Sequence, residues 1–278
     1  YVAAMCGQFP DRRLLGVGIA APGFIDAVTG DIISIGRVPS WGNFPLCRRL
    51  QAALRLPVWI ANDVDCMAFA EFQQVGWPSD NTLAYFGFDE GVKVSLFFQG
   101  DLYRGATGNA GLIVSHLLRV DGLPKGVDAQ SLLTVEGVNR IFETRLADLD
   151  VAVRSAYAEI AVETNPRKRF RLILSNAGPS LPLCAAIVGD LIAALAVAVA
   201  NVMIVVQPET TVIGGLLSYL PDELFAELET AIRRHLPALI GNNVMIHPVE
   251  FVSHNSAAIG ATHHFLQDYL RDPANELA

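Results

Sequence analysis

The sequence is short of cysteine and of clustered positive charge, and both deficits limit the classes of protein to which it can belong. Its four cysteines, Cys6, Cys47, Cys66 and Cys184, are far apart and form no CxxC pair, so they indicate neither a zinc knuckle nor a redox pair. Scattered cysteines of this kind are typical of reduced, mostly buried thiols in a cytosolic protein. The net charge is −8 and the arginine clusters are short, which argues against a nucleic-acid-binding surface.

Long hydrophobic runs are scarce as well. The longest, residues 181–206, is interrupted by Gly189, Asp190 and Asn201, so it predicts a buried helix that runs into a strand rather than a membrane span. The sequence shows no cationic segment followed by the apolar core of a signal peptide. With 52% hydrophobic and 17% charged residues, we expect a cytoplasmic protein with a sizeable core.

Residues 56–72 have the pattern of a strand followed directly by a helix. Residues 57–61 are apolar and β-rich, and the next two residues, Asn62 and Asp63, are of types that cap helices. In open α/β sheets, ligands bind at the carboxyl ends of strands, beside such helix starts. Asp63 is therefore either a helix cap or a carboxylate that accepts a hydrogen bond, or a proton, from a ligand hydroxyl.

The pattern of elements predicts two α/β lobes. Residues 14–20 form a continuous apolar run typical of a buried strand, and the turn at Gly23 can approach a ligand closely. The polar, proline-containing break at residues 76–81 is the best candidate domain boundary. We expect a first lobe over residues 1–80, completed by a C-terminal helix over residues 255–278, and a second lobe over residues 81–254.

Within the second lobe, two strands, residues 82–88 and 92–99, are expected to flank a turn that contains Asp89 and Glu90. Residues 131–143 and 150–164 have helical patterns. Residues 165–169 are expected to form a hinge or a surface bulge.

Six segments in order resemble the ROK family: GVGIAAPGFIDAVTGDI, VPSWGNFPL, LPVWIANDVDCMAFAE, GDLYRGATGNAG, PETTVIGGLL and SAAIGA. No single segment is specific to this family, but their order from about Leu14 to Ala261 is. The family groups bacterial sugar kinases with transcriptional repressors. The resemblance implies its two-lobed, actin-like (ribonuclease H-like) α/β fold. The N-terminal lobe would be incomplete, because the chain enters after the family's first strand hairpin and its DxGGT-like phosphate motif.

The resemblance assigns roles to four residues. Asp63 is similar in position to the general base of the kinases, which takes the proton of a sugar hydroxyl as that oxygen attacks the γ-phosphoryl group of ATP. Asn62 would bond another sugar hydroxyl, and Gly23 would lie against the sugar. His116, or Ser115 in the other register, occupies the place of a family histidine that binds sugar or zinc. A lone histidine beside apolar residues is also compatible with a structural role.

Departures from the family pattern count against a kinase. The family cradles nucleotide phosphates in a GTGIG-like turn, where this chain has Asp89 and Glu90, although an ordinary acidic turn accounts for them. Residues 121–133 lack the cysteines and the glutamate of the family's CxCGxxGCxE element, so no zinc is expected. Val38 lies near the position of a sugar-binding asparagine, and Trp41 remains either for packing or for stacking on sugar.

The resemblance therefore implies the effector-sensing domain of a ROK-type transcriptional repressor, which would bind a sugar or sugar derivative between two lobes. We expect no metal and no cofactor. The expected partners are a carbohydrate effector and a second copy in a homodimer, with DNA bound only through a segment upstream of residue 1 and no membrane. An ATP-dependent sugar kinase and a degenerate scaffold that binds no sugar remain alternatives.

Overall fold

The computed structural model of the protein describes residues 7–8, 11, 13–35, 38–113, 119–125 and 127–271. The chain divides into two compact units. The first unit runs to Pro78 and also contains Leu102–Ala110 and the chain from Glu250 onward, whereas the second contains Ser79–Asp101 and Gly111–Val249. Each unit combines helices with strands, so the predicted mixed α/β class is confirmed.

A parallel pair of strands forms the centre of the first unit. Its elements in chain order are β1 (Val17–Ala21), β2 (Phe24–Ile25), β3 (Ile32–Ser34), α1 (Leu46–Leu54), β4 (Val58–Asn62), α2 (Asp63–Val75) and, near the end of the chain, α11 (Ser256–Arg271). β1 and β4 pair in parallel, with Ala21 opposite Asn62. β2 and β3 form an antiparallel hairpin, whose turn is stabilised by Asp26 accepting bonds from the backbone N–H groups of Val28 and Thr29.

Helix α11 packs closely on α2 because a glycine lies at the crossing point. A Cβ atom at Gly260 would lie 1.7 Å from the carbonyl oxygen of Cys66, so no larger residue fits there without moving a helix. Gly18 likewise allows β1 to lie close to α11, since a Cβ atom at Gly18 would lie 2.4 Å from the carbonyl oxygen of Ala261. The small residues of the SAAIGA segment thus allow α11 to contact both the sheet and α2.

The segment Leu102–Ala110 belongs to the first unit, whereas the sequence pattern predicts that it lies in the second lobe. Asn109 exchanges two hydrogen bonds with the backbone of Ile25. Arg104 forms an ion pair with Asp268 of α11. These contacts join residues more than eighty positions apart, which a pattern of local periodicity does not reveal.

A five-stranded sheet with the order β7-β6-β5-β8-β9 organises the second unit. Its strands are β5 (Leu83–Phe88), β6 (Val92–Phe98), β7 (Asp101–Leu102), β8 (Thr210–Gly215) and β9 (Met245–Pro248). β5 pairs antiparallel with β6 and parallel with β8, and β8 pairs parallel with β9. The helices are α3 (Ala129–Leu132), α4 (Val135–Ala147), α5 (Val151–Arg154), α6 (Ala158–Val162), α7 (Pro166–Ser175), α8 (Pro182–Val206), α9 (Asp222–His235) and α10 (Ala238–Gly241).

The long helix α8 lies in the core of the second unit. By length and composition it could cross a membrane, but 67% of its most apolar window is buried inside the protein. Leu191, Ala194 and Ala198 are among its fully buried residues. The prediction of a buried helix is confirmed, but the expected strand within residues 181–206 is wrong, because the helix continues to Val206. Gln207 then ends it in the left-handed conformation, with φ +50°.

The predicted helix over residues 131–143 is wrong in its bounds. The chain breaks between α3 and α4, because the Oγ1 atom of Thr134 accepts the N–H of Gly137 at 3.0 Å and begins a new helix. The predicted helix over residues 150–164 is likewise divided into α5 and α6, which are joined by a short 3-10 helix, Ser155–Tyr157.

The expectation of a hinge or bulge at residues 165–169 is also wrong. Asn165 caps helix α7, accepting the N–H groups of Arg167 and Lys168 at 3.1 Å each. Pro166 is the first residue of that helix. An asparagine followed by proline is a regular helix start, since proline lacks an N–H that would have no partner at that position.

Candidate functional site

Asn62 ends β4 and begins α2. Its Oδ1 atom accepts the N–H groups of Val64 at 3.0 Å and of Asp65 at 3.4 Å, and its Nδ2 donates to the carbonyl oxygen of Gly23 at 3.1 Å. The side chain is buried, with 8% exposure. Asn62 therefore caps the helix and at the same time ties the turn after β1 to the end of β4.

Asp63 is the first residue of α2 and is half-buried. Its Oδ1 accepts the N–H of Val64 at 2.9 Å. A carboxylate in the first turn of a helix complements the positive end of the helix dipole. The residue that caps α2 is therefore Asn62 and not Asp63. A ligand-binding role for Asp63 stays a prediction.

Gly23 lies in a turn that only glycine can form there. Its φ is +91°, and a Cβ atom would lie 2.3 Å from the carbonyl oxygen of Ser34. The structure brings Gly23 and Asn62 into direct contact, although 39 positions separate them in the sequence. Two of the four predicted site residues thus meet at the carboxyl end of the β1–β4 pair.

A polar network that the sequence did not reveal lies beside Asn62. Arg104 donates to Asp268 at 3.0 Å, and its Nη2 lies 3.1 Å from Nε2 of His264. The His264 ring is almost fully buried and stacks on Trp59, with 4.0 Å between the ring centroids. Burial by itself would raise the pKa of Asp268, but the hydrogen bonds and charges of His264 and Arg104 bring that pKa below its ordinary value.

Two cavities of the first unit lie near this network. The smaller one, of about 30 Å³, is lined by Asn62, Asp65, Arg104 and His264 among others. That volume holds about one water molecule. The larger one, of about 690 Å³, is lined by the β2–β3 turn, α1, β4 up to Ile60, and α11. Its volume is in the range of ligand pockets, but neither Asn62 nor Asp63 lines it.

The acidic turn of the second unit lies between β5 and β6. Arg167 of α7 forms an ion pair with Asp89, and its Nη1 is 3.9 Å from Glu90. The N–H of Val135, the first residue of α4, donates to the carbonyl oxygen of Glu90 at 3.1 Å. The turn is therefore held by the Arg167 guanidinium and by a helix start.

Three other expectations concern His116, Trp41 and metal binding. His116 lies outside the described residues, so its predicted role stays a prediction. Trp41 stacks on Phe44, with ring centroids 4.9 Å apart, and Arg49 lies over the same Phe44 ring, which supports a packing role for Trp41. The described part of the chain contains no group of three or more histidine, cysteine, aspartate or glutamate side chains that could hold a metal ion.

Comparisons with known proteins give one family and two kinds of relative. A model of the ROK family matches residues 2–127. The xylose repressor of Caldicellulosiruptor bescii is 25% identical over 226 residues, which are 78% of this chain and 53% of that protein. A β-glucoside kinase of Klebsiella pneumoniae is 28% identical over 263 residues, which are 94% of this chain and 81% of the kinase. The chain thus spans about half the length of the xylose repressors that it matches.

A solved structure supports the fold. The crystal structure of a ROK-family transcriptional regulator, a homologue of the E. coli MLC protein, matches 94% of this chain with a TM-score of 0.74. The match covers 65% of that regulator, and 18% of the aligned residues are identical. At this identity the likeness bears on the fold alone, and it confirms the predicted actin-like class.

Proposed function

We propose that this chain is a member of the ROK family, that it is the effector-sensing part of a transcriptional regulator, and that it binds a sugar or sugar derivative at the carboxyl end of β4. Its relatives include both xylose repressors and sugar kinases, so the choice between the two rests on local chemistry. One observation carries the choice of regulator: the turn at Asp89 and Glu90 is acidic and held by Arg167.

By the sequence resemblance, that turn takes the place of the GTGIG-like turn in which the family's kinases hold the phosphates of ATP. The turn presents two carboxylates, and like unit charges 4 Å apart repel by about 4 kcal/mol near a protein surface, so these carboxylates repel a nucleotide phosphate. The turn contains one glycine, Gly91, instead of a glycine-rich backbone that would present several N–H groups to phosphate. Both features oppose nucleotide binding and leave sugar binding unaffected.

At the proposed sugar site, Asp63 accepts hydrogen bonds from sugar hydroxyls. Gly23 lies against the sugar, where the absence of a side chain allows close approach. Asn62 contributes mainly by fixing Gly23 and the start of α2, because both ends of its amide are engaged within the protein. His116 remains a proposed contact.

In this proposal the regulator is a cytoplasmic homodimer, and DNA is bound by a segment upstream of residue 1. The net charge of −8 supports that division, since affinity for DNA comes largely from lysine and arginine neutralising phosphates. The partial coverage of the xylose repressors is compatible with it.

A sugar kinase is the second candidate, favoured by the match to 81% of the β-glucoside kinase. An experiment distinguishes the regulator from the kinase by incubating the chain with ATP and one of four sugars: D-xylose, D-glucose, cellobiose or N-acetyl-D-glucosamine (the sugar panel). Release of ADP is followed by a coupled assay, and sugar binding by calorimetry. If the chain is an effector-sensing domain, it should bind at least one sugar of the panel and release no ADP. Turnover that disappears in Asp63→Asn would establish the kinase instead.

A further inference from the structure

Asn109 bonds to the backbone of Ile25 as a neighbouring strand would. The N–H of Ile25 donates to Oδ1 of Asn109 at 3.0 Å, and Nδ2 of Asn109 donates to the carbonyl oxygen of Ile25 at 2.9 Å. The same Nδ2 also donates to the carbonyl oxygen of Thr107 at 2.8 Å. Both ends of the Asn109 amide are thus hydrogen-bonded within the protein, and two of the three bonds are to Ile25 of β2.

Ile25 follows Gly23 by two positions, so the turn between them is held from two sides. Asn62 binds the carbonyl of Gly23, and Asn109 binds both backbone groups of Ile25. Close packing supports the second attachment, because a Cβ atom at Gly108 would lie 2.2 Å from the Cβ of Ala27. Two asparagines from distant parts of the sequence therefore fix the backbone of the proposed sugar-binding turn.

The segment that carries Asn109 is itself attached at its other end. Arg104 pairs with Asp268 at 3.0 Å and lies 3.1 Å from Nε2 of His264, and both partners belong to α11. Attachment at two points limits the movement of residues 102–110 within the first unit. Asn109 therefore belongs to a segment whose position is fixed by contacts to α11, so it can restrict the movement of the turn.

We propose that Asn109 is a positioning residue for the sugar site: it holds the turn from Gly23 to Ile25 in the conformation that binds ligand, without touching the ligand itself. This inference rests on the proposed function. Fixing a binding loop in advance strengthens binding, because less conformational freedom is lost when the ligand arrives. No sequence pattern indicates this role, since Asn109 is only one polar residue of a glycine-punctuated segment.

The test compares Asn109→Ala and Asn109→Asp with the wild-type chain. The aspartate keeps an acceptor for the Ile25 N–H but loses the donor to the Ile25 carbonyl. Thr107→Ala is the matched control, because its exposed side chain lies in the same segment and its carbonyl is retained. Hydrogen–deuterium exchange is measured on peptides that cover Ile25, and the affinity for the sugar panel is measured on the same samples.

For Asn109→Ala we expect exchange at Ile25 to become about tenfold faster, the factor that corresponds to one hydrogen bond of ordinary net strength. Asn109→Asp should give a smaller increase, and Thr107→Ala none. Sugar affinity should fall by roughly three- to tenfold in Asn109→Ala. Unchanged exchange at Ile25 in both asparagine variants would overturn the attachment. Faster exchange with unchanged affinity would overturn the positioning role. A wild-type chain that binds no sugar of the panel would instead refute the proposed function, whatever the exchange shows.

Discussion

Glu71 is a fully buried carboxylate that joins α2 to the chain leading into α11. Its Oε1 accepts the N–H of Glu250 at 3.0 Å, and its Oε2 accepts the N–H of Phe251 at 2.8 Å. The side chain has no exposed surface. Burial raises the pKa of Glu71 above its ordinary value, although the two backbone hydrogen bonds act in the opposite direction.

Replacing Glu71 by alanine would leave the backbone N–H groups of Glu250 and Phe251 without their acceptor. Each hydrogen bond to a charged acceptor contributes roughly 1.5–3 kcal/mol, and the cost of burying the charge offsets part of that sum. We therefore expect Glu71→Ala to lower the free energy of unfolding by about 2–4 kcal/mol. Glu71→Gln keeps one acceptor and should lose about half as much. Gln73→Ala, at an exposed position of the same helix, is the control and should stay within about 0.5 kcal/mol.

Tryptophan fluorescence isolates this effect, because all three tryptophans, Trp41, Trp59 and Trp77, lie in the first unit. Urea unfolding followed by their emission should show a midpoint about 1–2 M lower for Glu71→Ala, for an ordinary dependence on denaturant. Glu71→Ala within 0.5 kcal/mol of the wild type would refute the reasoning.

The pH dependence gives a second check on Glu71. A carboxyl group whose pKa is higher in the folded than in the unfolded state stabilises the fold fully below the unfolded pKa, and this contribution is lost as pH rises through the folded pKa. The wild type should therefore lose stability relative to Glu71→Gln as the pH rises above 4.5, the ordinary pKa of a glutamate. The opposite trend would mean that the two hydrogen bonds outweigh burial.

Three further predictions concern the turns at Gly23 and Asp89 and the proposed division of DNA binding. Gly23→Ala should destabilise the first unit by more than about 1 kcal/mol and weaken sugar binding, because the new Cβ would meet the carbonyl oxygen of Ser34 at a positive φ; urea unfolding and calorimetry would show both. Arg167→Ala should destabilise the second unit by up to about 1 kcal/mol, since Asp89 loses its ion pair with this half-exposed guanidinium. Exchange at β5 and β6 would detect that loss, and unchanged exchange would contradict it. In gel shifts with the promoter of its own gene, the full-length protein should bind and the chain described here should not; specific binding by this chain alone would contradict the division of function.

The strand–helix unit around Asn62 was predictable because its signals are local. An apolar β-rich run ends at residues that cap helices, and the structure has β4 and α2 at that place. The sequence could not say which of Asn62 and Asp63 is the cap, because both residue types are suitable. In the structure, Oδ1 of Asn62 accepts the N–H groups of Val64 and Asp65, so Asn62 is the cap. Its Nδ2 also donates to Gly23, a contact that depends on the pairing of β1 with β4.

Other features depend on contacts that no local pattern contains. Arg104 and His264 are 160 positions apart, and no periodicity relates them. The start of α7 was missed for a different reason, since Asn165 and Pro166 have a recognisable local signal.

The central claim is that the carboxyl end of β4 binds a sugar through Asp63. Calorimetric titration of the sugar panel into the wild-type chain and into Asp63→Ala tests it most directly. Loss of a charged hydrogen bond costs roughly 1.5–3 kcal/mol, so the variant should bind about ten- to a hundredfold more weakly. Equal affinities in the two proteins would contradict the account and leave Asp63 as a residue of the helix start alone.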